Sequence, residues 1–249
     1  MRTIFVTSEL TYVPRNYLDL FTEIFSLCPD HVAGLIILKA DKTSVFRSAT
    51  GLVAAGAPRL GLQLFRNFLT SRFDPREKLF KARGLPILRV STMNSPEVVA
   101  WLTEKPVDLI VNARTRCIYR EEVLRAPRFG CVNIHHGILP VDRGAMCDLY
   151  ALSENRDAGF SIHLMNEKVD DGAILHREQV SGGGEKNYLA YLSRTGAREG
   201  KAISGLLNFF ADRGEWPEKI MNRSDSILLK KAPKKISEIR ALIRKGMSL

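Results

Sequence analysis

No two of the four cysteines in this 249-residue sequence stand at CxxC spacing; Cys28, Cys117, Cys131 and Cys147 are scattered along the chain. That excludes a zinc knuckle or a thioredoxin-like motif and reads as four reduced thiols. Long apolar runs are missing too. A spanning helix needs about 18 uninterrupted apolar residues, and the most apolar stretch, GLVAAGAPRLGLQLF, is broken by Pro58 and Arg59. The opening MRTIFVTSEL has too short an apolar run for a signal peptide, so no membrane contact and a cytoplasmic home are the default expectations. Glycine is absent from SELTYVPRN, directly after the first apolar run. This excludes both the dinucleotide fingerprint and the phosphate loop at that place.

What remains is an ordinary globular composition, with 45% hydrophobic and 26% charged residues. Disorder and a disulfide scaffold are thereby excluded, and the length suits one large domain, or one with a small appendage. The net charge of +10 is uneven: residues 219–249 hold nine Lys or Arg against two acids. Charge of this kind fits an anionic partner or a solvated tail equally well.

Short β-branched runs alternate with helical patterns. Strands are expected at 2–7, 33–39, 108–113 and 130–135, and helices near 60–70, 75–83, 95–104 and 120–126. Pro14 suits the first turn of a helix carrying Tyr17, Leu20, Phe21, Ile24 and Phe25. Nearly continuous apolar strands joined through helices indicate a Rossmann-like, mostly parallel α/β sheet flanked by helices. After residue 157 two strands joined by a polar loop are expected, then a helix to about 210, extended chain, and a short basic helix with Ser237 available as its cap. The domain expectation is a catalytic unit over 1–215 and a basic C-terminal extension over 216–249.

A parallel sheet places ligands beyond the carboxyl ends of its strands. VNIHHGILPVDRG at 132–144 falls there. Alternation sends Asn133 and His135 to one face and Ile134 and His136 to the other, while Gly137 and Pro140 turn the chain. Taken alone, a satisfied core histidine at His135 and an Asn133 bonded to nearby backbone explain the stretch better than catalysis does. A metal site is disfavoured, because adjacent histidines on a strand diverge and no ligand spacing is present. SIHLMNEKVDDGAIL at 161–175 adds a polar loop able to aim a carboxylate into a cleft, although Asp-Gly is also a plain turn signal.

Together, in order and spacing, the two stretches resemble the formyltransferases that use 10-formyltetrahydrofolate. The N-x-H element is Asn133-Ile134-His135, the following loop runs from Gly137 to Gly144 through Pro140 and Arg143, and Ser161-Ile162-His163 precedes Asp170-Asp171-Gly172. The likeness covers about 105–180 well and the first strand in architecture only. It implies the formyltransferase fold with a short C-terminal extension, and Asn133, His135 and Asp170 as catalytic groups. It implies 10-formyltetrahydrofolate as formyl donor, held near Arg116, Cys117 and Ile118 and beneath the loop of Met165, Asn166, Glu167 and Val169. Two departures concern loop shape: His136, and Met146 or Cys147, stand where relatives usually have proline.

The chemistry explains the residue types. Formyl transfer to an amine builds negative charge on a carbonyl oxygen, where a preorganised donor contributes about 3–4 kcal/mol. Asn133 donates there without titrating, and a cationic His135 donates more strongly. A carboxylate is needed to move the proton from the attacking nitrogen. Asp170 fills that role and is expected to raise the His135 pKa.

For the acceptor, the missing phosphate loop disfavours glycinamide ribonucleotide. The thirty-odd residues after 215 are too few for the further barrel of the methionyl-tRNA enzyme, and no regulatory domain like the hydrolase's precedes the first strand. A small amine, preferably a nucleotide-linked amino sugar, is expected, with Thr11, Tyr12, Arg15, Arg143 and the KKAPKK segment as candidate contacts. Methionyl-tRNA, a hydroxyornithine-type amine and simple hydrolysis stay as alternatives. So does a nucleic-acid binder using the basic tail, disfavoured because it lacks interleaved aromatics. The apolar helical part of 40–85 is left to a homodimer contact.

Overall fold

The computed structural model describes residues 1–249. In chain order the elements are β1 (Thr3–Ser8), α1 (Leu18–Leu27), β2 (Val32–Leu38), α2 (Lys42–Ala54), α3 (Pro58–Thr70), α4 (Pro75–Lys81), β3 (Ile87–Val90), α5 (Pro96–Glu104) and β4 (Leu109–Ala113). They continue with α6 (Glu121–Arg125), β5 (Cys131–His135), β6 (Asp142–Gly144), α7 (Cys147–Ser153), β7 (Ala158–Leu164), β8 (Ile174–Ser181), α8 (Tyr188–Arg213), β9 (Leu228–Lys230) and α9 (Ile236–Arg244). Seven strands form one sheet in the order β3-β2-β1-β4-β5-β7-β8. The first five in that row are parallel, and β7 and β8 are antiparallel to their neighbours. β6 and β9 make a separate parallel pair.

The parallel strands are buried on both faces, which is why they read as continuous apolar runs. Phe5, Leu35, Leu109, Val111 and Val132 pack under α1 and α8, whereas Ile4, Val6, Ile36 and Ile110 pack under α5 and α6. A third cluster ties α2 and α3 to α7, α8 and α9. Strand order reverses between β1 and β4, and a crevice opens beyond the carboxyl ends at such a point.

Several expectations are displaced. The helix expected from Pro14 begins as a short turn in which Arg15, Asn16 and Tyr17 have positive φ, and α1 starts at Leu18. The cause is Asn16, whose side chain accepts from the Thr11 N–H and donates to the Glu9 carbonyl, so the local polar bonds outcompete helix. At α9 the cap is not Ser237, which lies inside the first turn. Glu238 reaches back to accept from the N–H groups of Lys234 and Lys235 at 2.7 and 2.8 Å. The extension folds back on the rest: Ile239, Leu242, Met247 and Leu249 are buried in the third cluster. On the outer side of α2 and α3, Phe46, Leu62 and Leu69 stay exposed.

Candidate active site

Register builds the site. Asn112 on β4 pairs with Asn133 on β5, and Asn133 pairs with His163 on β7, so three polar side chains line up across three strands. The Asn112 amide donates to Asn133 Oδ1 at 2.8 Å, and Asn133 Nδ2 lies 3.1 Å from His163 Nε2. His163 Nδ1 sits 2.8 Å from the Leu164 carbonyl, which can only accept. Nδ1 therefore carries a proton and donates to that carbonyl, while Nε2 faces the Asn133 amide. Asn112 Oδ1 in turn accepts from Thr115 and Tyr119. This row fixes the Asn133 amide and leaves one of its two N–H donors unspent.

His135, two residues on and on the same face, is 5% exposed. Its Nε2 donates to the Asp142 carbonyl at 2.7 Å, and Nδ1 faces Asp170 Oδ1 at 3.3 Å. Asp170 Oδ1 also stands 3.6 Å from His163 Nε2, and its other oxygen accepts from the Gly144 N–H at 2.9 Å. Burial works to raise Asp170, but His163, His135 and the Gly144 N–H hold the carboxyl below its ordinary value. For His135 the outcome differs from expectation: burial lowers the imidazole more than the Asp170 charge raises it. With Nε2 committed to Asp142, the histidine meets reacting atoms only through Nδ1, which suits proton transfer better than oxyanion binding.

Backbone requirements around the site are specific. A Cβ on Gly137 would stand 2.6 Å from His135 Nε2 and 2.7 Å from the Asp142 carbonyl. Gly144 holds φ +96° beside β9. Asp170 itself has φ +54°, a sparsely populated conformation for a residue other than glycine. It is held by Asn222, whose amide donates to the carbonyls of Asp170 and Gly172 at 3.0 and 2.8 Å.

A cavity of about 610 Å³ covers this row. Asn133, His135, Asp170, Arg116, Cys117, Ile118, Thr11 and Tyr12 line it, with Met165, Asn166, Glu167 and Val169 in the loop above. Ile118 and Val169 are 64% and 56% exposed, so two apolar side chains of the lining stand uncovered. Arg15 and Arg143 are not brought to the cavity. Arg15 pairs with Asp19 on the surface, and Arg143 is tied to Asp171 at 2.8 Å and to Asn222. The basic tail also stays apart: Lys230 pairs with Glu154. Sequence reasoning missed His163 and Asn112 as positioning groups, Asn222, and α2, which brings Ser44, Val45 and Ser48 to the cavity. For His163 the S-x-H spacing was a usable signal, since a strand paired with N-x-H puts the two polar faces together.

Fold and site thus define a mostly parallel α/β protein with a row of amide, imidazole and carboxylate groups at the crevice. A sequence profile described as "Formyl transferase" matches residues 63–204, more than half of the chain. The chain belongs to the formyl transferase family. It is 37% identical over 103 residues to a methionyl-tRNA formyltransferase of Nitrosomonas eutropha, a match covering 41% of this chain and 33% of that protein. With the corresponding protein of Caldanaerobacter subterraneus identity is 32% over 111 residues, covering 44% and 36%. The matched part spans about a third of these relatives' length. Among solved structures, a sugar N-formyltransferase from a Shewanella species shares the fold with TM-score 0.59 at 17% identity, covering 98% of this chain and 87% of that one. A phosphoribosylglycinamide formyltransferase from Bacillus halodurans gives 0.60 at 21% identity, covering 86% and 97%.

Proposed function

We propose that the protein transfers a formyl group from 10-formyltetrahydrofolate to the primary amine of a small acceptor, an amino sugar being the favoured class and a nucleotide-linked one the specific expectation. The observation that carries this reading is the convergence of Asn133, His135 and Asp170 on one cavity. The unspent Asn133 N–H serves the oxygen that gains charge. Asp170 stands ready to take the proton released by the attacking nitrogen, and His135 Nδ1, 3.3 Å away, shares it. Arg116, Cys117, Ile118 and the Met165–Val169 loop are assigned to the folate, whose flat ring covers Ile118 and Val169. Thr11 and Tyr12 fall to the acceptor side; Arg15, Arg143 and the tail lysines are withdrawn from the diphosphate.

The test is formylation of a panel of amines by the purified protein, followed by mass spectrometry. Asn133→Ala is expected to lower kcat by about 100- to 1,000-fold with folate binding retained. Asp170→Asn is expected to lose turnover to a similar degree. Unchanged turnover in both variants, or formylation of methionyl-tRNA ahead of every small amine, overturns the assignment.

A further inference from the structure

The cavity has an end that the catalytic row leaves unused. Arg114, just past β4 with φ +60°, lines the cavity without joining that row, and His136 and Asp148 stand beside it. A guanidinium carries five N–H donors in a planar fork. Here the one hydrogen-bond partner of the side chain is Nδ1 of His136, and Nε is buried with none. His136 is driven by burial to about 3, so it is a neutral acceptor and brings no charge of its own.

Asp148 does not use up the remaining donors. It stands 4.0 Å from the guanidinium, beyond hydrogen bonding. Its Oδ1 is committed to the Leu149 N–H at 2.8 Å and the Tyr188 hydroxyl at 3.0 Å, and its Oδ2 is buried without a partner. Arg114 is thus 13% exposed in its side chain, charge-matched only at a distance, and short of acceptor atoms. Unmet donors of a buried charged group are costly, and a ligand that meets them is strongly selected over one that does not.

We infer that Arg114 determines acceptor specificity by receiving one oxyanion, a carboxylate or a phosphate, carried by the amine to be formylated. The inference rests on the amine-acceptor reading above. An oxyanion supplies the paired oxygens that a planar fork takes, whereas a neutral hydroxyl meets one donor and leaves the others unmet. The exposed Ser44 and Ser48 of α2 line the same cavity.

The test is titration calorimetry in the presence of 5-formyltetrahydrofolate with amine pairs that differ only in the anion. Glycine against glycinamide probes carboxylate, and glucosamine 6-phosphate against glucosamine probes phosphate. In at least one pair the anionic member is expected to bind the wild type at least about tenfold tighter. That advantage is expected to fall below about threefold in Arg114→Gln and Arg114→Met, with folate affinity unchanged. Arg114→Lys, which keeps charge and loses the fork, guards against a folding defect and is expected to retain part of the preference. No preference in either pair for the wild type, or a preference that survives both neutral variants, overturns the inference. Loss of folate binding by the wild type instead overturns the functional reading beneath it.

Discussion

Glu199 is a fully buried carboxyl on α8 that no catalytic role requires. Its Oε2 takes the Tyr17 hydroxyl, and its Oε1 lies 3.1 Å from His136 Nε2. Burial alone holds this acid protonated well above its ordinary 4.5. An unfolded chain releases that proton near the ordinary value, so folding stability falls as pH rises from there towards the raised folded value. Glu199→Gln keeps the shape and removes the slope. It is expected to raise Tm at about pH 8, while Glu199→Ala, which strands the buried Tyr17 hydroxyl, costs about 1–3 kcal/mol. His136 acts with the opposite sign. Its folded value of about 3 lies below 6.5, so the unfolded state binds more protons between those limits and stability is lost as pH falls through that window. At about 1.4 kcal/mol per pH unit the loss is on the order of 5 kcal/mol. Urea midpoints measured across pH check both: the wild type is expected to be most stable between the two limbs, and Glu199→Gln to flatten only the alkaline one.

At the scale of elements, the loop between β7 and β8 depends on a residue far away in sequence. Asn222, buried and outside any strand, bonds both carbonyls that flank Asp171 and accepts from Arg143. The strained φ of Asp170 is over-determined by these bonds. Asn222→Ala is expected to lower kcat by about tenfold or more, with folate affinity less affected and the Tm reduced. A steady-state comparison with Asp170→Asn checks it, and unchanged kcat removes Asn222 from the positioning set. This element shows where sequence reading succeeds and stops. β1, β2, β4, β5 and the helices α3 to α6 were legible because continuous apolar runs and helical spacing mark them. β3, at the sheet edge with Ile87, Leu88 and Arg89 only partly buried, has little pattern, and β6 and β9 are three residues each. α2 carries Gly51 and several β-branched residues, so its helical stripe is weak. That Asn133, His135 and Asp170 belong together was expected from the resemblance their two short segments carry, and in the fold all three line one cavity. Asn222 and the His135 Nε2 contact with Asp142 were not legible, since both depend on chain returning from elsewhere.

For the whole molecule, the basic tail is the place where charge and packing make opposite demands. Composition alone allows residues 230–249 to be removed with turnover intact. In the fold, α9 and the final residues bury Ile239, Leu242, Met247 and Leu249 against Leu52, Ala57, Tyr188 and Tyr191. Each such side chain contributes about 1.5–3 kcal/mol relative to exposure, which together rivals the 5–15 kcal/mol of net stability typical of a domain. Deleting 230–249 is therefore expected to yield a protein that is partly unfolded and does not bind folate. The charges themselves are separable from this packing, because Lys231, Lys234 and Lys235 are exposed. Changing all three to Gln is expected to shift stability by no more than about 0.5 kcal/mol per site and to leave Asn133-dependent turnover in place. Thermal melts with folate titration of the truncation and the triple variant decide between the two demands. A stable, folate-binding truncation shows the tail to be dispensable, whereas a folded triple variant without turnover moves the function onto the tail's charge.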